Sequence, residues 1–455
     1  MMPTWKRVQR GCPIDSGMTS NGFTLIEVVI ASFILGTIVV GIFSLMTLTL
    51  KASHDGQRRI VATGLANEKM EMIRNLPYAS VGTVGGIPAG SIAQTEQVDR
   101  NSQTYTVTTD IRYIDDPYDG TATSSPLDTV NTDYKQARVE VTWDSTITNR
   151  SVLLIAQIAP NGIEGGDSLG TLVFQALNAA GSGVSRAVVR LVNDSVSPAI
   201  NLTTYASIDG QVVIPGLPIS AGTYQLTVSG EGYTTEQTYP SSADFTPDVD
   251  HSQLTTIAGS VTNKTFAIDR TSKLTINTVD QDSAPIGDVA YSIIGTKKIG
   301  TDALAAPVYL FSHQDSTDAA GTASYQDMTW DSYSFSIDGA ITGYDIQDTS
   351  LPVPMTINPG SDVTLTVTLV PHTPISLHAT VLDSAGLPVP DASVQVVGSA
   401  YDQTLQTGAT GQVFFSDLPS NEDYAVTVTA SGYQLFTGTA TVIDTTQYVV
   451  NLAGA

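Results

Sequence analysis

Thiol chemistry in this chain rests on a single Cys12, so any reactive site must be sought among carboxylates, hydroxyls and five histidines. His54, His251, His313, His372 and His378 are scattered, with no His-Glu-x-x-His pair that a helix would bring to one metal. There is no Gly-x-Ser-x-Gly elbow, and no phosphate-cradling glycine loop with its lysine. His372 and His378 flank the start of a repeat and read as surface or core residues rather than metal ligands. The loop Asp115-Asp116-Pro117-Tyr118-Asp119-Gly120 offers carboxylates to Ca²⁺ but lacks the EF-hand ligand spacing, so it reads as a solvated acidic loop. No catalytic residue, metal site or cofactor site is assigned, and the expectation is a protein that is not an enzyme. One carboxylate stands apart from the rest: Glu27, at the edge of a long apolar run.

After Glu27 no charged residue appears until Lys51, so residues 28–50 are long enough to span a bilayer as one helix. The chain before Gly22 is short and polar, with Lys6, Arg7 and Arg10. A carboxylate within an apolar helix costs about 2.5–3.5 kcal/mol at mid-membrane, and less near an end. A cut after Gly22 would supply it with a partner. It would create an α-amine at Phe23, four residues before Glu27 and on the same helix face. Glu27 would then sit in the first helical turn, where the macrodipole favours negative charge. A secretory signal peptide places its apolar region before the cleavage site and loses it. Here the order is reversed, and cutting at Gly22 leaves the hydrophobic helix at the new N-terminus. The competing reading is an uncleaved signal anchor with an incidental Glu near its edge.

The stretch Asn21-Gly22-Phe23-Thr24-Leu25-Ile26-Glu27-Val28-Val29-Ile30 resembles the class III leader junction of type IV prepilins and type II secretion pseudopilins. Gly22 matches the residue before the cut, Phe23 the new and usually N-methylated terminus, and Glu27 the acidic residue of the mature helix. The resemblance covers residues 11 to about 158. It implies a prepilin peptidase, other pilin or pseudopilin subunits and an inner-membrane assembly platform as partners. It also implies that Glu27 neutralises the terminal amine of a neighbouring subunit in a filament. Many pilins carry a helix-bending Pro in the membrane segment, whereas this chain has only Gly36 and Gly41 there. Ala66-Asn67-Glu68-Lys69-Met70-Glu71 through Tyr78 is also similar to the minor-pilin subgroup.

With 455 residues the chain holds several domains. Its 44 acidic against 20 basic residues give a formal net charge of −24, which argues against a nucleic-acid partner. Only seven Lys or Arg occur from Asn161 onward, a composition suited to a soluble extracellular surface. A chain cut after Gly22 would contain no cysteine, so its modules must be held by their cores rather than by disulfides. Lys6, Arg7 and Arg10 before the apolar run are nearly balanced by Lys51, Arg58 and Arg59 after it. The cytoplasmic placement of the N-terminus therefore rests on the prepilin resemblance and the β-rich composition.

Taken in order, residues 1–22 read as a cleaved leader and 23–76 as one long helix, transmembrane to about residue 50. From Phe23 to Leu76 that helix would measure about 80 Å. Val61, Leu65, Met72 and Leu76 are its expected buried stripe, Glu71 and Arg74 pair on the wet side, and Pro77 ends it. Residues 77–160 form the expected α+β pilin-like head: an irregular loop over 77–103, then strands at Thr104–Ile114, Ala137–Trp143 and Ser151–Ile158. Asp144–Arg150 has the length of a hairpin loop, and residues 161–168 read as a flexible linker.

The remainder is an internal repeat, read as three all-β sandwiches over 169–271, 272–371 and 372–455. Each copy has a polar turn (Asn178–Gly181, Asp280–Ser283, Asp383–Gly386) and then a Val/Ala strand (at 187–191, 289–293 and 392–396). A glycine turn follows at Gly210, Gly321 or Gly411. A Tyr-centred strand then runs from Tyr224, Tyr333 or Tyr424 into Gly-Tyr, before a closing strand at Lys264–Ile268, Val363–Leu369 or Tyr448–Leu452. The tyrosines read as core or corner anchors rather than a sugar-stacking platform. The order of parts resembles the carboxypeptidase-regulatory-like, transthyretin-type sandwich, best in the third copy at Gly386-Leu387-Pro388-Val389-Pro390-Asp391-Ala392-Ser393-Val394. The middle copy lacks the Gly-Leu-Pro signals and carries an insertion around Lys297–Leu310. The leading functional expectation is a minor type IV pilin held in the bacterial cytoplasmic membrane before assembly and then displayed on a pilus or the cell surface. A type II secretion pseudopilin and a membrane-anchored adhesin for an extracellular glycan or another cell are the alternatives.

Overall fold

The computed structural model describes residues 24–118, 120–125, 128, 130–144, 150–160 and 169–455. Gly22, Phe23, the leader, Asp119, the hairpin loop at 145–149 and the expected linker 161–168 lie outside the described residues. Leu25–Arg74 form one helix, α1, about 75 Å long at 1.5 Å per residue. It stops three residues before Pro77, which begins a short 3₁₀ turn at Tyr78–Ser80. The buried stripe is Ala62, Leu65, Ala66, Lys69, Met70 and Ile73. This corrects the expected stripe, because Met72 is 48% exposed. Successive residues advance by 100°, so Ile73 and Met70 fall on the face centred near Ala66 while Met72 falls beside it. Glu71 and Arg74 pair at 3.1 Å on the exposed side.

The head sheet runs β1(Thr95–Arg100)–β2(Gln103–Ile114)–β3(Tyr134–Trp143)–β4(Arg150–Ile158). Three of these strands follow the alternation of the sequence, whereas β1 lies in the stretch expected to be irregular. All its residues but Val98 are polar and most are exposed, so it carries no apolar period; Glu96 reaches Lys69 of α1 at 2.7 Å. Further along α1, Arg58 donates to the Asp144 carbonyl at 3.2 Å and Asp55 pairs with Arg150 at 3.0 Å.

After Leu169, buried residues gather in three clusters, each between two sheets. In every case the first strand pairs in parallel with the last. Leu169–Leu177 lies beside Val261–Ala267, Ser272–Val279 beside Asp362–Pro371, and Ser376–Asp383 beside Thr445–Leu452. The second strand of each copy pairs antiparallel with the Tyr-centred strand on the opposite sheet. Tyr224, Tyr333 and Tyr424 are fully buried, and their hydroxyls donate to the carbonyls of Pro218, Thr329 and Ser420 at 2.8, 2.7 and 2.8 Å. Ile87 of the head loop joins the first of these cores, and the Asn201 N–H donates to the Gly85 carbonyl at 2.7 Å.

The insertion of the middle copy is a hairpin. Its strands Lys298–Asp302 and Pro307–Tyr309 form a small sheet with Phe245–Pro247 of the first copy. One turn recurs through the three copies. Asn178, Asp280, Asp302, Asp318 and Asp383 each accept two backbone N–H groups on the side-chain oxygen, from two and four residues on. The residue three positions on has positive φ: Gly181, Gly321 and Gly386, but Ser283 and Ala305 in the two remaining turns. A side chain in that region is strained, and glycine is not. Ala305→Gly is therefore expected to stabilise the middle sandwich by about 0.5 kcal/mol, the relief of strain outweighing the extra freedom of the unfolded chain. Gly321→Ala is expected to do the opposite and by more, since a Cβ there would lie 2.7 Å from the Thr278 carbonyl oxygen. Thermal unfolding of the two variants beside the parent chain measures both effects.

Candidate functional site

Glu27 lies in the first turn of α1, and its N–H donates to the carbonyl and hydroxyl oxygens of Thr24 at 3.1 and 3.3 Å. From Thr24 to His54 every residue of the helix is exposed, including Leu25 at 84% and Phe33 at 71%. Among the described residues α1 is the one helix long and apolar enough to cross a membrane. Its hydroxyls turn inward: Ser32 donates to the Val28 carbonyl at 2.6 Å, Thr37 to Ile34 at 2.8 Å, Thr47 to Ser44 at 2.9 Å and Thr49 to Leu45 at 2.8 Å. Such back-bonding satisfies a hydroxyl where no water is at hand. A Cβ at Gly36 or Gly41 would meet nothing within 4 Å, so the chain's own packing does not require glycine at either place. Small residues of this kind let a second helix approach closely.

The remaining candidates of the sequence fall into structural roles. Asp115 accepts the Ala122 N–H at 2.7 Å and Asp116 the Tyr118 N–H at 3.1 Å, so these carboxylates tie their own loop. Among the described residues no group of three or more His, Cys, Asp or Glu side chains is placed to hold a metal. His251 faces Glu236 at 3.4 Å, His313 packs against Phe311 with ring centroids 4.5 Å apart, and His54 is an exposed helix residue. His372 and His378 are brought to one place, the joint between the middle and third sandwiches.

One functional-looking group escaped the sequence reading. Lys135 is 1% exposed, and its ammonium donates to the carbonyls of Tyr78 and Val81 at 2.7 and 2.8 Å. It also lies 4.5 Å from the ring centre of Tyr78 and 5.2 Å from that of Tyr113. Burial lowers its pKa from 10.5 to about 8. The signal was available, because Lys135 is in phase with Ala137, Val139, Val141 and Trp143, the inward face of β3. The strand was expected to begin at Ala137, two residues beyond this lysine.

Residues 376–453 match the sequence profile of the Carboxypeptidase regulatory-like domain. This is the third sandwich, the copy whose turn motifs carry that resemblance most fully. No curated protein matches the chain. Among solved structures it is similar to the TIE protein of Bacillus anthracis, at 13% identity over 79% of this chain and 73% of that one, with a TM-score of 0.19. A streptococcal ancillary pilin matches at 13% identity over 63% of this chain and 99% of its own, with a TM-score of 0.18. The major pilin subunit BcpA of Bacillus cereus matches at 12% identity over 63% of this chain and 100% of its own, with a TM-score of 0.16. Scores this low carry no argument about a shared role.

Lys135 generates a pH dependence. Between about pH 8 and 10.5 the unfolded chain holds a proton that folded Lys135 has released, so stability rises with pH across that window. Burial raises the Tyr78 pKa from 10.0 to about 12, so above pH 10 the folded chain retains a proton that the unfolded chain loses, and this contribution falls. Hydrogen exchange of the amides at 78–81 should slow from neutral pH to about pH 9.5, after correction for intrinsic exchange. Lys135→Met should abolish that trend and destabilise the segment by about 1–3 kcal/mol, because two buried carbonyls lose their donor.

Proposed function

We propose that the chain is a minor type IV pilin or pilin-like filament subunit. In this reading a prepilin peptidase cuts after Gly22, and Phe23 becomes the N-methylated terminus. Helix α1 holds the protein in the cytoplasmic membrane, N-terminus on the cytoplasmic side, until an inner-membrane platform passes it into a filament of other pilin subunits. The three sandwiches are then displayed at the cell surface. The observation that carries the reading is a carboxylate, Glu27, in the first turn of an apolar helix exposed over its whole circumference from Thr24 to His54. A helix of that kind needs both a medium that is not water and a partner for Glu27, its one charge before Lys51. Adjacent α1-type helices with free terminal amines meet both needs. Sandwich modules of this bulk would crowd a filament in which every subunit carried them, which favours a minor position. A type II secretion pseudopilin would use the same helix chemistry, and co-purification with secretion rather than pilus components would single it out.

The test is Glu27→Ala, with Glu27→Gln beside it. Both variants should be processed and retained in the membrane. Both should be depleted from sheared surface filaments by at least about a hundred-fold, the cost of leaving one buried charge without its partner being about 3–5 kcal/mol. Incorporation of Glu27→Ala at the parental level would refute the assigned role of this carboxylate.

A further inference from the structure

A cavity of about 810 Å³ lies between the middle and third sandwiches. That is within the range of small-molecule sites, about 300–1,000 Å³. Ser336, Asp338 and Asp345 line it from the middle copy, and His378, Gln412 and Gln447 from the third. The joint that shapes it is held by hydrogen bonds across the two copies. Gln412 accepts the Thr349 N–H at 3.1 Å and donates to the Thr349 hydroxyl at 2.9 Å, and Thr410 donates to Asp348 at 2.7 Å. Asp345, with its side chain 2% exposed, meets His372 Nδ1 at 2.8 Å and accepts the Thr373 N–H at 2.9 Å. Its walls are therefore set by the protein's own contacts, which removes an ordering cost from binding.

The lining specifies the ligand's chemistry. No Lys or Arg lines the cavity while three carboxylates do, those of Asp338, Asp345 and Asp444, so an anion is disfavoured. Hydroxyls and amides supply both donors and acceptors, and Ile337, Val353, Pro354 and Pro374 supply apolar surface. One lining side chain carries a polar atom that the protein leaves unsatisfied. His378 lines the cavity, and its buried Nε2 lacks a hydrogen-bond partner among the described residues, while its ring also interacts with Gln412 and the Gln347 backbone. Buried polar atoms are seldom left so, and this one is available to a hydrogen-bonding group from outside the chain.

We propose that this cavity binds a neutral, polyhydroxylated ligand of one or two sugar rings. Mixed donors and acceptors beside small apolar walls suit the alternating hydroxyl and C–H surface of such a molecule. The proposal stands independently of the filament reading, since it uses only the modules.

The experiment is saturation-transfer NMR on the full chain in sugar-free detergent micelles. Its probes are glucose, galactose, N-acetylglucosamine and lactose, with glucuronate and spermidine as charged comparisons. At least one neutral sugar should bind saturably and more tightly than either charged probe. Ser336→Trp, at an exposed lining position, should abolish that binding by filling the cavity. Gln447→Ala should weaken it roughly three- to ten-fold through loss of one side chain's hydrogen bonds. Gln447 is exposed and its strand pairs through backbone atoms beside His378, so its truncation leaves the fold intact if Ser336→Trp does not. The proposal is overturned if no neutral sugar in the set binds saturably, if spermidine or glucuronate is preferred, or if binding survives in a folded Ser336→Trp variant.

Discussion

An apolar helix surface with no cover from its own chain is the constraint on which the rest of this structure depends. Each Leu, Ile, Val or Phe left in water forgoes about 1.5–3 kcal/mol relative to burial, and α1 exposes such residues from Leu25 to Leu50. Such a surface suits lipid or the faces of other helices. Its details agree with that setting. Four hydroxyls bond back into the helix, the two glycines meet no packing from the chain itself, and the only charge before Lys51 sits in the first turn. Beyond that the helix changes character. Polar contacts take over, with Asp55, Arg58 and Lys69 each held by the head sheet's residues.

The modules meet a different demand, to stay folded without a disulfide. Each closes by pairing its first strand in parallel with its last and by burying one tyrosine whose hydroxyl returns to the backbone. The exit is built alike as well. Thr271, His372 and Ala455, at the three module ends, each donate an N–H to the carbonyl of the glycine in the preceding Gly-Tyr turn, Gly232, Gly343 and Gly432. The joints differ where the repeats do not. Between the first and middle copies a hairpin adds to Phe245–Pro247, and Lys298 pairs with Asp248 at 3.4 Å. Between the middle and third copies the link is made by side chains around a cavity. The three copies thus share the closing strand pair and the buried tyrosine, while their sheets differ in strand number and their joints in construction.

Much of the fold was legible because alternation and turn residues are local signals. β2, the inward face of β3 and the closing strands of the repeats were read from them to within a few residues. What escaped depended on tertiary context. β1 has no apolar period, and its place is set by pairing to β2. The buried stripe of α1 was misassigned at Met72 because a four-and-seven spacing does not distinguish it from the neighbouring Ile73. The insertion near Lys297 was seen as an interruption, and nothing local announces that it pairs with residues fifty positions earlier. Lys135 was passed over because a lysine reads as surface until two carbonyls and two rings are shown around it. Of the candidate site, Glu27 stood out early because an isolated charge in an apolar run is conspicuous. The cavity, made by residues far apart in the chain, left no mark in the sequence.

The central claim is that the apolar helix becomes the N-terminus of the working protein. Intact-mass and N-terminal analysis of the full chain, taken from membranes that co-express a prepilin peptidase, tests it most directly. The account predicts a terminus at Phe23, bearing one added methyl where the methylating activity is present. A chain still beginning near Met1, while a control prepilin in the same membranes is cut, would contradict it.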